Sequence, residues 1–275
     1  MSQGSNMRES PATLPIKLIS TDFDGTIFTE FEKPPIPVSL ENLIADLQAQ
    51  GAKWVINTGR DMSSLMEALG RARISIQPDY LVLVEREIYQ HDGVRYAPIE
   101  AWNTACARDH AELFARVRPE VPALTAWINA RFRATVYEDA FSPFCLIAGN
   151  NGDADVIHAF LDEFCTRFPQ LTVVRNDVYA RFCHAAYNKG TALAELSRRL
   201  KIGPGQIFAA GDHLNDLPML SRVHARWLAA PSNAVTPVAE SVLGQDGFVS
   251  QLPHGGGVAD GLRHHLLQAA SQKQT

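Results

Sequence analysis

Two aspartates separated by one residue, Asp22 and Asp24, are the strongest chemical signal in the sequence. They follow a short apolar run, residues 16–21, which predicts a buried parallel strand, and in open α/β sheets the chemistry lies just beyond the carboxyl ends of such strands. If the chain stays extended, both side chains turn to one side, and Gly25 then allows a turn away. Two acids so close repel unless a cation lies between them, so the pattern predicts a hard divalent metal, Mg²⁺. The alternative is a surface turn, because Asp-Gly is common in turns.

Three further segments carry polar residues in positions suited to a site. Residues 58–60, Thr-Gly-Arg, and residues 211–216, Gly-Asp-His-Leu-Asn-Asp, each follow an apolar run that predicts a strand, and residues 188–190, Asn-Lys-Gly, open a helical pattern. Lys189 opposes the dipole at the start of that helix. An anion nearby therefore explains the lysine better than an ordinary surface position.

Together the segments resemble the four motifs of the haloacid dehalogenase superfamily. Residues 22–26, Asp-Phe-Asp-Gly-Thr, resemble the first motif, in which the first aspartate is a nucleophile and the second a general acid and base. The segments at 58–60, 188–190 and 211–216 resemble the second, third and fourth motifs, and the fourth is followed by a Met-Leu pair at 219–220. Four motifs in the expected order are far more specific than any one of them.

The resemblance implies catalytic and phosphate-binding roles for individual residues. Asp22 is expected to attack phosphorus and form an aspartyl-phosphate that water later hydrolyses. Asp24 is expected to protonate the leaving alcohol and then to take a proton from that water. The expected phosphate ligands are the hydroxyl of Thr58, the amide of Gly59, Lys189 and Asn215.

The resemblance also implies a magnesium site. The expected ligands are the carboxylates of Asp22 and Asp212 and the backbone carbonyl of Asp24, with waters and a phosphate oxygen completing the coordination. Asp216 is expected at the edge of this site, where it orients a water on the metal or Lys189.

The order of elements predicts an α/β protein with a doubly wound, mostly parallel sheet as its core and an inserted α+β cap. Residues 15–87 and 185–275 are assigned to the core, residues 88–184 to the cap and residues 1–14 to a flexible N-terminal segment. The cap assignment includes a hairpin about Asp92-Gly93. In the resembled family, a large cap between the second and third motifs marks the sugar-phosphatase and Cof-like branch. Residues 87–89, Glu-Ile-Tyr, are similar to the corresponding turn of sucrose-phosphate phosphatases.

Composition bounds the partners and the compartment. The chain has 275 residues, of which 46% are hydrophobic and 20% charged, and a net charge of -5 provides no basic surface for nucleic acid. The first residues lack the apolar stretch of a signal peptide and no run reaches membrane-spanning length, so we expect a cytoplasmic protein with no membrane partner. The four cysteines are widely spread, which favours reduced, structural thiols.

These observations predict a Mg²⁺-dependent phosphomonoester hydrolase that acts on a sugar phosphate or a similar small phosphate ester, as a monomer or homodimer. One alternative is a phosphohexomutase, which needs the cap to hold a second phosphate through Arg131, Arg133, Arg175 or Arg181. The other is a regulatory binding protein that has kept the fold and lost turnover.

Several residues near the motifs have no settled role. His184 and His213 either shape the leaving-group pocket or serve the structure, and the structural role is the expected one. Arg60 either takes part in the site or forms an ion pair facing solvent or Asp61. Residues 255–257, three glycines before a predicted helix, are expected to form a flexible loop because no phosphate-binding motif surrounds them.

Overall fold

A computed structural model describes residues 14–272 of the chain. Apart from Leu14, the N-terminal segment predicted to be flexible lies outside the described residues. The strands are β1 Leu18–Thr21, β2 Lys53–Asn57, β3 Tyr80–Leu83, β4 Glu87–His91, β5 Tyr96–Pro98, β6 Ala134–Tyr137, β7 Cys145–Ala148, β8 Leu171–Asn176, β9 Tyr179–His184, β10 Ile207–Ala210, β11 Trp227–Ala230 and β12 Phe248–Val249. The helices are α1 Val38–Ala49, α2 Met62–Ala72, α3 Glu100–Val117, α4 Val121–Asn129, α5 Asn151–Cys165, α6 Lys189–Leu200, α7 Thr236–Gly244 and α8 His254–Ser271.

The larger sheet has eight strands in the order β12-β11-β10-β1-β2-β3-β4-β5. The strands from β12 to β3 run parallel, and helices cover both faces of the sheet. Side chains alternate between the faces, so Ile19 packs with α1, α2 and α8, whereas Leu18 packs with α6 and α7. Every residue of β1 is buried, as expected for a central parallel strand. The predicted fold, a doubly wound α/β core with a separate α+β unit, is confirmed.

The smaller sheet has four antiparallel strands in the order β6-β7-β9-β8. Residues of α3, α4 and α5 pack against it and form an apolar cluster of their own, which includes Phe144, Phe164 and Phe182. We call the part of the chain from α3 to β9 the cap. A separate core of this kind supports the predicted two-domain division, which stays a proposal.

The hairpin formed by β4 and β5 lies in the larger sheet, so its predicted place in the cap is wrong. β4 pairs antiparallel with β3, and β5 continues the sheet beyond β4. The cause is the open edge of β3, whose backbone groups need partners, together with Ile88, which is fully buried among core residues. The first turn of α3 belongs here too, because the Asn103 side chain bonds both the N–H and the C=O of Ile88.

The three glycines at 255–257 also differ from the prediction, because they form the first turn of α8. A Cβ at Gly257 would lie 2.3 Å from the Leu252 carbonyl oxygen, and one at Gly255 would lie 2.5 Å from Cδ of Pro37. The glycines therefore permit close packing of the helix start, and no flexible loop is present at these positions.

Two findings bear on the predictions from composition. All four cysteines are buried free thiols. Among the described helices, none combines the length and the hydropathy that crossing a bilayer requires.

The position of the hairpin predicts which deletion leaves a folded core. Replacing residues 105–184 by a short glycine-rich linker keeps the hairpin and the Asn103 contacts, so we expect a monodisperse protein with a cooperative melting transition. Replacing residues 88–184 instead exposes the edge of β3 and removes Ile88, so that variant should aggregate. Size-exclusion chromatography and thermal melting of the two variants compare them directly. Equal behaviour of both variants would contradict this account of the boundary.

Candidate active site

The predicted site residues follow neighbouring parallel strands of the larger sheet. Asp22 follows β1, Thr58 follows β2, and Asp212 lies two residues after β10. Since β10, β1 and β2 are adjacent and parallel, their carboxyl ends meet at one edge of the sheet. Lys189 starts α6, whose N-cap Asn188 accepts hydrogen bonds from the Gly190 and Thr191 amides.

Lys189 is the centre of the cluster and is fully buried. Its Nζ donates hydrogen bonds of 2.6 Å to Oδ1 of Asp22 and of 2.6 Å to Oδ1 of Asp216. Burial alone would lower the pKa of Lys189, but the carboxylates of Asp216 and Asp22 outweigh burial and raise it. The ammonium is therefore charged at any physiological pH.

Asp216 and Gly25 fix the neighbouring carboxylate, Asp212. The second oxygen of Asp216 accepts the backbone N–H groups of Asp212 and His213 at 2.9 and 3.0 Å. Thr26 donates its hydroxyl to Oδ1 of Asp212 at 2.6 Å. Gly25 has a φ of 75°, and a Cβ added to it would lie 2.5 Å from Oδ2 of Asp212. Only glycine at this position therefore allows the backbone after Asp24 to approach the Asp212 carboxylate so closely.

The donor set fits a hard divalent cation. Asp22, Asp212 and Asp216 each offer a carboxylate oxygen, and the three oxygens lie within 4.8 Å of one another. Burial raises the pKa of Asp22 well above its usual range and that of Asp212 to about 7, with the Asp216 charge adding to both. Ionisation of all three acids would leave two negative charges that the single charge of Lys189 does not balance. A divalent ion would balance them, and carboxylate oxygens are the ligands that Mg²⁺ prefers.

Asp24 lies apart from this carboxylate cluster. Its two oxygens accept hydrogen bonds from Nε and Nη2 of Arg60 at 2.7 and 2.6 Å, and the guanidinium lies over the Phe23 ring. The two aspartates of the first motif therefore do not crowd against each other as expected. The suggested pairing of Arg60 with Asp61 is also wrong, since Asp61 caps α2 by accepting the Ser64 amide. The role of the Asp24 backbone carbonyl as a metal ligand stays a prediction.

The phosphate-binding residues predicted from the sequence adjoin a residue that the sequence analysis missed, Glu85. Nδ2 of Asn215 donates to Oε1 of Glu85 at 2.9 Å. The same oxygen lies close to Gly59, because a Cβ added to this glycine would be 3.2 Å from it. The Glu85 amide donates to the Thr58 carbonyl at 2.9 Å. Burial raises the pKa of Glu85. The sequence did contain a signal for Glu85, because this acid follows the end of β3, the parallel strand next to β2, and so lies at the edge of the sheet that carries the site.

The two histidines with no settled role have different contacts. Nε2 of His213 accepts the backbone N–H of Asp177, at the tip of the β8–β9 hairpin, at 3.1 Å, so His213 links the core to the cap beside Asp212. His184 lies against the rings of His110 and Tyr187, and its ring nitrogen Nδ1 accepts the Ala186 amide at 3.2 Å. The contacts of His184 are those of a structural residue.

The raised pKa of Asp212 predicts how the stability of the metal-free protein changes with pH. In the folded protein the Asp212 carboxyl holds its proton up to about pH 7, whereas in the unfolded chain it loses the proton near pH 3.8. The protonated carboxyl therefore contributes fully to the free energy of unfolding below pH 3.8, and this contribution is lost as the pH rises through 7. Urea unfolding with EDTA at several pH values, for wild type and Asp212→Asn, measures it. The free energy of unfolding of the wild type should fall relative to the variant between pH 4 and 8. A rise over that range would contradict the burial argument.

Comparison with known proteins agrees with this geometry. The model of the haloacid dehalogenase-like hydrolase family matches residues 134–243, which include Lys189 and the segment from Asp212 to Asp216. Three similar solved structures share the fold across almost the whole chain. The sucrose-phosphatase from Synechocystis, solved in complex with sucrose and phosphate, has a TM-score of 0.69 and 19% identity over 91% of this chain and 97% of its own.

The two other structures are described as haloacid dehalogenase-like. A hydrolase from Bacteroides thetaiotaomicron has a TM-score of 0.60 and 17% identity over 90% of this chain and 99% of its own. A HAD/COF-like protein from Plasmodium vivax has a TM-score of 0.62 and 17% identity over 95% of this chain and 97% of its own. At these identities the likeness concerns the fold. The match to the family model over residues 134–243, the shared fold and the motif residues at the strand ends all agree with the resemblance to the haloacid dehalogenase-like hydrolases.

Proposed function

We propose that the chain is a Mg²⁺-dependent phosphomonoesterase that forms an aspartyl-phosphate on Asp22. The observation that carries the proposal is the buried ammonium of Lys189, held 2.6 Å from Asp22 and beside the carboxylate cluster. A sugar phosphate or a similar small phosphate ester is the proposed substrate class. The Synechocystis relative, a sucrose-phosphatase with sucrose and phosphate bound, supports that class.

Asp22 is the proposed nucleophile, and its burial and its hydrogen bond to Lys189 support this role. It is 5% exposed, and its carboxylate is held by Lys189, which favours the ionised form against the effect of burial. In the first step, a carboxylate oxygen bonds to phosphorus while the bond from phosphorus to the alcohol oxygen breaks. In the second, water attacks phosphorus, the bond to Asp22 breaks, and free phosphate leaves.

Asp24 is the proposed acid and base. It gives a proton to the leaving alcohol oxygen and later takes one from the attacking water. In this conformation the Asp24 carboxylate is engaged by both Nε and Nη2 of Arg60. We infer that at least one of these hydrogen bonds opens before Asp24 carries the proton, so Arg60 is a positioning residue for Asp24.

Polar groups at the same edge of the sheet as Asp22 would bind the phosphoryl oxygens. The Thr58 hydroxyl, the Gly59 amide, Lys189 and the Asn215 amide are the proposed donors, and in phosphoryl transfer such positioning and charge stabilisation supply most of the catalysis. Asn57 supports this arrangement, because its Nδ2 donates to the Lys189 carbonyl at 3.0 Å.

Asp22 and Asp212 would hold the magnesium ion. Both oxygens of Asp216 already accept hydrogen bonds, so this residue orients Lys189 and the Asp212 backbone. When bound, the ion supplies positive charge that polarises the phosphoryl group.

The proposal predicts release of inorganic phosphate that depends on Mg²⁺ and on Asp22. Wild type should hydrolyse p-nitrophenyl phosphate and at least one sugar phosphate, and EDTA should stop both reactions. Asp22→Asn should abolish turnover, whereas Asp212→Asn should need more Mg²⁺ because a carboxylate ligand is lost. Asp246→Asn is the matched control, since that side chain is 94% exposed. No hydrolysis of any ester would favour the binding-protein alternative, and an isomeric sugar phosphate as the product would favour the phosphohexomutase.

A second prediction separates the two aspartates of the first motif. Asp24→Asn keeps the nucleophile but removes the proton for the alcohol, which is typically worth ~10²–10⁴-fold for a poor leaving group. The variant should lose most sugar-phosphate hydrolysis, yet still release about one p-nitrophenol per site in a burst, because this phenolate leaves unaided. Rapid-mixing absorbance measurements show the burst. Equal losses for both substrates without a burst would refute the role of Asp24.

A further inference from the structure

A cavity of about 160 Å³ lies between the core and the cap, beside the proposed phosphate site. The core contributes Glu85 to its lining, and the cap contributes the polar side chains of Tyr137, Asn176, Tyr179 and Arg181. Three of these four cap residues lie on β8 and β9, so the small sheet presents polar groups to the cavity.

Glu85 connects this cavity to the residues that would hold the phosphate. Its Oε1 accepts the Asn215 amide at 2.9 Å and would lie 3.2 Å from a Cβ at Gly59. A phosphate bound by Thr58, Lys189 and Asn215 therefore has this cavity as its neighbour on the cap side. This cavity is one of two spaces beside Glu85 that the alcohol part of the ester could occupy; the other, of about 210 Å³, also reaches Asn215.

The guanidinium of Arg181 has a buried nitrogen, Nη1, without a hydrogen-bond acceptor among the described residues. A guanidinium remains charged in proteins, and a buried donor left unsatisfied is costly. The position therefore favours a ligand that brings an acceptor to Arg181.

The three other cap arginines considered for a second phosphate are placed differently. Arg175 is committed to Asp155 and to the Asp177 carbonyl, at 2.5 and 2.8 Å. Arg131 is exposed and lies over the Trp127 ring, and Arg133 is exposed. Arg181 lines the 160 Å³ cavity with Glu85, whereas Arg175 lines a second cavity of about 210 Å³ that also includes Glu85 and Asn215.

We propose that Arg181 selects esters whose alcohol carries an anionic oxygen group, a carboxylate or a second phosphate, and that Glu85 accepts a hydrogen bond from a hydroxyl of the same alcohol. The proposal rests on the proposed function, because it describes the leaving group of that reaction. The planar fork of a guanidinium matches both anions through two parallel hydrogen bonds, which a neutral hydroxyl does not offer. The Arg181 guanidinium and the Glu85 carboxyl both line the cavity, and together they fix the orientation of the alcohol.

Matched pairs of substrates test the selectivity. One pair is 6-phosphogluconate and sorbitol 6-phosphate, which differ in the carboxylate. The other is fructose 1,6-bisphosphate and fructose 6-phosphate, which differ in the second phosphate. For at least one pair, wild-type kcat/KM should favour the anionic member by about 10- to 100-fold, the usual range for a hydrogen bond to a charged group. The pair that responds identifies the anion, and no preference in either pair overturns the proposal.

Variants of two cap arginines assign the selectivity to one residue. Arg181→Gln should remove the preference by lowering kcat/KM for the anionic ester, while p-nitrophenyl phosphate, which lacks the group, is hydrolysed as before. Arg181→Lys keeps the positive charge but lacks the two parallel N–H donors of a guanidinium, so it should retain part of the preference for the anionic ester. Arg133→Gln, at an exposed cap position, should keep all of it. An unchanged preference in Arg181→Gln would overturn the proposal.

Product binding separates failure of this proposal from failure of the proposed function. Calorimetry with gluconate, sorbitol and fructose 1-phosphate needs no turnover. If no ester is hydrolysed but gluconate or fructose 1-phosphate binds wild type and not Arg181→Gln, the anion site stands and the phosphatase assignment falls. If p-nitrophenyl phosphate is hydrolysed and the binding of gluconate and of fructose 1-phosphate does not depend on Arg181, the phosphatase assignment is supported and the anion site is refuted.

Discussion

The buried ammonium of Lys189 is the interaction on which the rest of the site depends. It joins three separate parts of the chain: the end of β1 through Asp22, the start of α6, and the turn that carries Asp216. Removing one partner of a buried ion pair typically costs about 3–5 kcal/mol because the remaining charge is left uncompensated. The positive charge of Lys189 also offsets the repulsion between the carboxylates of Asp22 and Asp216. The position of Asp22, the proposed nucleophile, and the local stability therefore both depend on one cation, so a residue that replaces Lys189 must preserve both.

The order of strands explains why these groups meet. β10, β1, β2 and β3 lie side by side, and their carboxyl ends carry Asp212, Asp22, Thr58 and Glu85. The chain reaches this arrangement through helices on both faces, and β1 lies between the two halves, where the order reverses. In open α/β sheets such a reversal opens the crevice in which ligands bind. The cap begins after β5, which runs parallel to β3, and it ends before α6, so both of its connections lie at the edge that carries the site.

Much of this arrangement could be predicted from the sequence, because it depends on local patterns. Short apolar runs ending in Asp22, Thr58 or Asp212 specify buried strands, and those strands fix which side chains share an edge. The hairpin at β4 and β5 could not be placed, since its position depends on two tertiary features, the open edge of β3 and the core residues that bury Ile88. The pairing of Asp24 with Arg60 and the close packing of Gly255 and Gly257 are likewise tertiary contacts, which a local pattern does not encode.

Glu85 shows how one strained turn connects the site to the cap. Val84 and Glu85 have φ values of 43° and 68°, a region that β-branched and bulky residues rarely adopt. Such strain typically costs about 1–3 kcal/mol per residue and persists only where the surroundings impose it. Here the Val84 amide donates to the Arg60 carbonyl and the Glu85 amide to the Thr58 carbonyl, each at 2.9 Å, so the second motif holds the turn. The turn reverses β3 into β4 and directs the Glu85 carboxyl toward Gly59 and Asn215. The same two residues therefore start the hairpin that leads to the cap and place the Glu85 carboxyl in the lining of the cavity that contains Arg181. Both the entry to the cap and the proposed leaving-group site depend on this turn.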